Sequence, residues 1–116
     1  MFARVERKWG YYIDIIRTPW LCIKILFFNP ASAISHQRHF KRNELWFILS
    51  NIGEMDYGCQ SKYLVGGDFF FIEKNQWHKF STLNHPCKVL EIQYGSKISE
   101  DDIERLDEKG ISNNHN

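Results

Sequence analysis

The sequence predicts an all-β domain, folded as a sandwich or barrel, and three observations predict it. Short apolar runs recur along most of the chain and are punctuated by Gly, Pro, Asn and Asp. Aromatic residues reach 16%, with nine Phe, five Tyr and four Trp, a composition suited to strands around a filled interior. Helical periodicity is confined to the C-terminal end.

The runs follow in order. Gly10 precedes a strand over 11–16, and Thr18-Pro19 breaks it. Leu21–Phe28 is an uninterrupted strand that stops at Asn29-Pro30. A third strong run covers 44–50 and ends at Asn51 and Gly53; weaker strands are expected over 54–57 and 61–65. Gly66-Gly67-Asp68 is a turn signal before a strand over 69–73, and Lys74-Asn75-Gln76 is another before His78–Thr82. Asn84-His85-Pro86 leads into the last strand, 87–93. Ser99 and Asp102 form a capping pair for a short C-terminal helix over 99–109, stopped by Gly110. One domain over 1–110 is expected, with 111–116 a disordered tail.

The chain has 116 residues, 43% hydrophobic and 25% charged, which fits one globular domain and excludes a disordered chain. No apolar run approaches the roughly 20 residues of a membrane helix, and Leu21–Phe28 carries Lys24 at its centre. With no signal-peptide pattern at the start, the expected address is cytoplasmic. Cys22, Cys59 and Cys87 cannot all pair and match no zinc knuckle, so reduced thiols are expected. Residues 1–92 hold 12 Lys or Arg against 8 Asp or Glu; residues 93–116 hold 3 against 6. A mildly basic body suits an anionic small ligand, and its scattered charges do not form a nucleic-acid stripe.

Two strands are apolar on both faces. Leu21, Ile23, Ile25 and Phe27 alternate with Cys22, Leu26 and Phe28, and Leu45, Phe47 and Leu49 with Trp46 and Ile48. A small sandwich normally keeps one face of each strand polar. A homodimer is the economical way to cover the second face.

The chemistry-bearing segment is 36–46. In extended chain Gln37 and His39 share a face; Glu44 opens the next strand, and His78 opens a later one. Together they offer a mixed N/O set suited to Zn, Fe, Mn, Co or Ni. A Gln-x-His pair alone is more often a surface feature than a metal site.

Several motifs in order resemble the type II mannose-6-phosphate isomerase family, cupins found elsewhere fused behind mannose-1-phosphate guanylyltransferase domains. Arg7-Lys8-Trp9-Gly10 is close to the family's Arg-Pro-Trp-Gly. Gln37, His39, Glu44 and Trp46 match its Gln-x-His-(four residues)-Glu-x-Trp, and Gly67-Asp68 and His78 follow at matching spacing. Residues 91–95 (Glu-Ile-Gln-Tyr-Gly) and 99–105 resemble its closing motifs. The resemblance implies a cupin jelly-roll barrel and a divalent metal ion held by Gln37, His39, Glu44 and His78. Phe40 and Lys41 stand where the family has two further histidines, and Lys79 where it has Arg.

The activity so implied is interconversion of mannose 6-phosphate and fructose 6-phosphate. It needs a polarised carbonyl oxygen, a base and a cation for the phosphate. Lys24, the one cation in an otherwise apolar strand, Arg42, in a polar loop, and Lys79 are the substrate-binding candidates; alternation turns Lys79 away from the face of His78. Nothing in the chain selects the base. Three classes stay open: a sugar-phosphate isomerase, a non-catalytic cupin binding a sugar or sugar nucleotide, and a metal-dependent oxygenase.

Overall fold

In a computed structural model that describes residues 3–106 and 112–114, the chain runs through twelve strands. They are β1 (Arg4–Arg7), β2 (Gly10–Arg17), β3 (Leu21–Phe28), β4 (His36–Arg38), β5 (Arg42–Ser50), β6 (Ile52–Tyr57), β7 (Gln60–Val65), β8 (Phe69–Ile72), β9 (His78–Thr82), β10 (Cys87–Gly95), β11 (Glu104–Leu106) and β12 (Ser112–Asn114). They form two six-stranded antiparallel sheets, ordered β1-β2-β3-β10-β5-β8 and β12-β11-β4-β9-β6-β7. This is the expected all-β jelly roll. Among the described residues no helix is long and apolar enough to cross a membrane.

The chain switches sheets where the backbone bends. Asn51 takes a left-handed conformation (φ 63°) between β5 of the first sheet and β6 of the second. Two glycines permit close packing beside the interior. A Cβ at Gly53 would overlap the Phe80 ring, and one at Gly95 would overlap the Lys41 carbonyl, displacing the chain next to Arg42.

The barrel interior changes character along its length. Read inward along β3, Phe28 and Leu26 give way to Lys24; along β10, Cys87 and Val89 give way to Glu91 and Gln93; along β5, Ile48 and Trp46 give way to Glu44 and Arg42. Cross-strand register aligns these transitions, since Glu91 pairs with both Lys24 and Trp46, and Gln93 with Glu44. On the second sheet, β9 runs from His78 at the polar end to buried Phe80 and Thr82. One end is therefore an aromatic and aliphatic core of Phe28, Trp46, Met55, Leu64, Phe80 and their neighbours. The other is lined by buried charge.

The helix expected over 99–109 does not form in its described part, 99–106; residues 107–109 lie outside the described residues. Ser99 does accept a bond from the Asp101 amide, as a cap would (3.1 Å). But the Asp102 carboxylate accepts bonds from the Phe40 and Lys41 amides (2.9 Å each), and Glu104–Leu106 pair with β4. These tertiary bonds outweigh the local helix signal. Of the tail expected to be disordered over 111–116, Ser112–Asn114 pair with β11 as β12, and residues 111, 115 and 116 lie outside the described residues. Cys22, Cys59 and Cys87 are free thiols.

Candidate metal centre

The polar end of the barrel holds a cavity of about 540 Å³. Gln37, His39, Arg42, Glu44, His78 and Lys24 all line it, as do Glu91 and Gln93. The elements explain the convergence. β5 and β10 bring Glu44, Glu91 and Gln93 from one sheet. β4 and β9 face them from the other, with Gln37 and His78 directly paired, and His39 sits on the link from β4 to β5.

His39, Glu44 and His78 are each buried, and their nearest ligand atoms lie within 4.8 Å of one another. His39 Nε2 is 3.2 Å from one Glu44 oxygen, and His78 Nε2 is 3.9 Å from the other. Donors about 2.1 Å from a common ion are spaced at roughly 3–4 Å, so the set fits a divalent cation. The rings are oriented for it. His39 Nδ1 donates to the Asp102 carbonyl (2.6 Å) and His78 Nδ1 donates to the Gln76 carbonyl (3.0 Å). In each neutral ring the lone pair is therefore on Nε2, facing Glu44, which is how backbone carbonyls fix metal-ligating histidines.

Charge states favour the same role. Burial pushes the His39 imidazolium down to about 4 and lowers His78 as well, so both rings are neutral near pH 7. Burial opposes ionisation of Glu44, but His39 and the permanent Arg42 cation outweigh it and hold the carboxyl well below its ordinary value. Glu91 moves the other way: burial, then the neighbouring Glu44 charge, raise it well above its ordinary value. Trp46 Nε1 lies between the two carboxyls, 3.0 Å from Glu44 and 3.1 Å from Glu91.

Arg42 was expected in a polar loop, yet it opens β5 and is buried. Its Nε donates to Glu44 (2.9 Å), Nη2 to His39 Nε2 (3.2 Å) and Nη1 to the Ser99 carbonyl (3.2 Å). Lys24 is 3% exposed, sits 4.0 Å over the Tyr12 ring and pairs with Glu100 at 3.2 Å. Burial works to discharge it; acidic Glu91 and Glu100 outweigh that and keep its ammonium charged. Gln37 lines the cavity with its amide donating to the Ser35 carbonyl (3.2 Å). Lys79 is the candidate that does not join: it lies in register with Asp56 on the other face of β9 and does not line the cavity.

Sequence reasoning assigned no role to Glu91 and Gln93. Gln93 Nε2 donates to Glu91 (3.1 Å), while its Oε1 is buried with no hydrogen-bond partner among the described residues, an acceptor suited to a ligand hydroxyl. The signal was present: both occupy inward positions of a strand whose other inward residues are apolar, the same pattern that singled out Lys24.

Comparison with known proteins agrees with this geometry. Residues 1–108 match the family described as mannose-6-phosphate isomerase C-terminal. The chain is 32% identical over 103 residues to the mannose-1-phosphate guanylyltransferase of Klebsiella pneumoniae, a match covering 88% of the chain and 22% of that protein. The chain thus spans about a fifth of the length of the curated relatives it matches. Among solved structures, the capsular polysaccharide assembling protein CapF of Staphylococcus aureus superposes with a TM-score of 0.76 at 15% identity, over 89% of this chain and 32% of that one. Oxalate decarboxylase of Bacillus subtilis, whose structure was studied for its Mn(II) centres, superposes at 0.76 with 16% identity, over 90% and 30%. These likenesses share the fold alone, a cupin jelly roll. The match over residues 1–108 settles the lineage: the chain belongs to the mannose-6-phosphate isomerase C-terminal family.

Proposed function

We propose that this domain is a metal-dependent sugar-phosphate isomerase that interconverts mannose 6-phosphate and fructose 6-phosphate. The observation that carries the reading is the convergence of His39, Glu44 and His78, with both Nδ1 atoms tied to backbone carbonyls, in a cavity that also holds Lys24 and Arg42. His39, Glu44 and His78 would hold the ion, with Gln37 as the fourth ligand. A divalent cation there supplies Lewis-acid polarisation of a sugar carbonyl oxygen.

The chain's own residues do the rest. Lys24 and Arg42 are the buried cations for the phosphate, and exposed Arg7 and Lys8 line the same cavity where the ligand enters. Gln93 Oε1 accepts from a sugar hydroxyl. Glu91, whose carboxyl is pushed up by burial and by the Glu44 charge, is the cavity group available to take up and move a proton. Phosphorylated sugars as substrates place the protein in the cytoplasm, and the outward apolar strands support a homodimer.

A second reading, a non-catalytic cupin that binds a sugar or sugar nucleotide, is favoured by one contact. Arg42 itself donates to Glu44 and to His39 Nε2, the atoms that would face an ion. Purified protein loaded with Mn²⁺, Co²⁺ or Zn²⁺ and given mannose 6-phosphate decides between them. The isomerase reading expects fructose 6-phosphate to form, to stop with EDTA, and to be lost in His39→Ala and His78→Ala. Metal-loaded, folded protein that binds the sugar without converting it would leave the binding reading.

A further inference from the structure

Beside β2 and β3 the cavity wall carries two cations answered by two carboxylates. Lys24 Nζ is 3.2 Å from Glu100 Oε2 and 3.9 Å from Asp14 Oδ1. Arg17 Nη2 donates to the same Glu100 Oε2 at 3.2 Å, and Arg17 Nε donates to Asp14 Oδ2 at 3.1 Å. One carboxylate oxygen of Glu100 thus bridges an ammonium and a guanidinium, the arrangement in which Lys and Arg hold a phosphoryl oxygen. The two positive and two negative charges cancel, so a ligand anion gains little from Lys24 and Arg17 until one carboxylate leaves.

The two carboxylates are held differently. Asp14 belongs to β2, in register with Lys24, and its Oδ1 accepts from the buried Cys22 thiol (3.7 Å). Glu100 lies outside the strands, on the link from β10 to β11, and lines the cavity. Its backbone is pinned on both sides: the Ser99 carbonyl accepts from Arg42 (3.2 Å), and the Asp102 carboxylate from the Phe40 and Lys41 amides (2.9 Å each). Its side chain is 48% exposed, against 4% for that of Lys24. Rotation of the Glu100 side chain alone therefore moves its carboxylate into water. Lys24 has no such exit, and its buried ammonium needs an anion beside it.

We propose that Glu100 stands in for the ligand's phosphoryl group: in the free protein its carboxylate holds Lys24 and Arg17, and the ligand binds by exchanging a phosphate for it. The inference rests on the reading of Lys24 as a phosphate-binding cation, and it adds Arg17 as a second contact. Charge drives the exchange. A phosphate monoester brings close to two negative charges and three acceptor oxygens, against one charge and two oxygens for the carboxylate. With Glu100 withdrawn, Lys24 and Arg17 less Asp14 leave one net positive charge to receive it. A neutral sugar has nothing with which to displace Glu100, so the carboxylate acts as a filter for phosphorylated ligands.

Equilibrium binding of mannose 6-phosphate to EDTA-treated protein tests the exchange without turnover. Glu100→Gln, close in size, should tighten binding about tenfold, the worth of one charge-assisted contact that no longer has to be broken. Arg17→Gln should weaken it by a similar factor. In the wild-type chain, carbodiimide-driven labelling of carboxylates with glycine ethyl ester, read by mass spectrometry, should rise at Glu100 on saturation with mannose 6-phosphate. It should stay constant at Asp14 and not respond to mannose. Metal-loaded protein that shows these shifts yet forms no fructose 6-phosphate would remove the isomerase reading and leave the exchange standing. No binding of mannose 6-phosphate, equal or weaker binding by folded Glu100→Gln, unchanged binding by Arg17→Gln, or Glu100 labelling that stays level or falls with the ligand would each overturn the proposal.

Discussion

The two ends of the barrel interior are built from the same strands, and they differ in what burial does. At one end Phe28, Trp46 and Phe80 pack ring against ring, with centroids 5.1–6.3 Å apart, and every buried side chain adds to stability. At the other end Lys24, Arg42, Glu44, His78 and Glu91 are equally buried, but each is costly there unless a partner answers its charge. The difference lies two to four residues along each strand. Since both ends share β3, β5, β9 and β10, the apolar end supplies the rigidity that lets the polar end hold its groups at fixed distances.

The strongest way to break the comparison is at the apolar end. Phe80 is fully buried against Phe28, Trp46 and the close backbone of Gly53. Phe80→Ala should cost about 3–5 kcal/mol in urea unfolding, because Gly53 offers no side chain to fill the space. Co²⁺ affinity of the folded protein should stay as in wild type. Loss of metal binding in a folded variant would show that the two ends are not separable.

The second prediction uses the polar end of the metal-free protein. His39 and His78 are neutral in the fold and have pKa values below their ordinary ones, His39 at about 4. As pH falls from about 6.5 towards 4, the unfolded chain takes up protons that the folded chain refuses, so stability falls with pH across that window. For His39 alone the loss is on the order of 3 kcal/mol once pH is below both values. Urea unfolding in EDTA between pH 7 and 4 measures it, and His39→Gln should flatten the slope. A His39→Gln curve as steep as that of the wild type over this window would contradict the buried neutral ring.

Much of this was legible in the sequence where one physical signal dominates. Leu21–Phe28 and His78–Thr82 coincide with their expected bounds, because alternation between firm turn signals leaves no other register. Lys24 stood out as a cation in an apolar strand, and the structure places it inside the barrel. β1 and β11 were missed because four- and three-residue polar segments carry no period, and their pairing with β2 and β4 decides their form. The helix expected from Ser99 failed for the same reason, its local signal overridden by the bonds that Asp102 makes to 39–41. Arg42 was placed in a loop because the sequence cannot show that Gly95 lets β10 close onto it. His39, Glu44 and His78 came together as the resemblance implied, whereas Lys79, turned outward by strand parity, did not.

The smallest expected effect sharpens the role of that misplaced arginine. His39 Nδ1 is committed to the Asp102 carbonyl, so the ring has a single lone pair, on Nε2. Arg42 Nη2 donates to that lone pair at 3.2 Å while Nε donates to Glu44 at 2.9 Å. An ion coordinated by His39 Nε2 needs the same lone pair, and the two cannot share it. Metal loading therefore requires the guanidinium to withdraw, and the free energy of its contacts is subtracted from metal affinity. Arg42→Met, similar in length and uncharged, removes the competitor and leaves the Glu44 carboxylate without its compensating cation. Calorimetric titration with Co²⁺ should show binding tightened about tenfold, or ~1.4 kcal/mol, even though the metal-free variant is less stable than wild type. The two shifts have opposite signs, which separates competition from general damage: a variant merely loosened by the substitution would bind Co²⁺ more weakly. Equal or weaker binding by a folded Arg42→Met protein would mean that Arg42 and the ion do not compete.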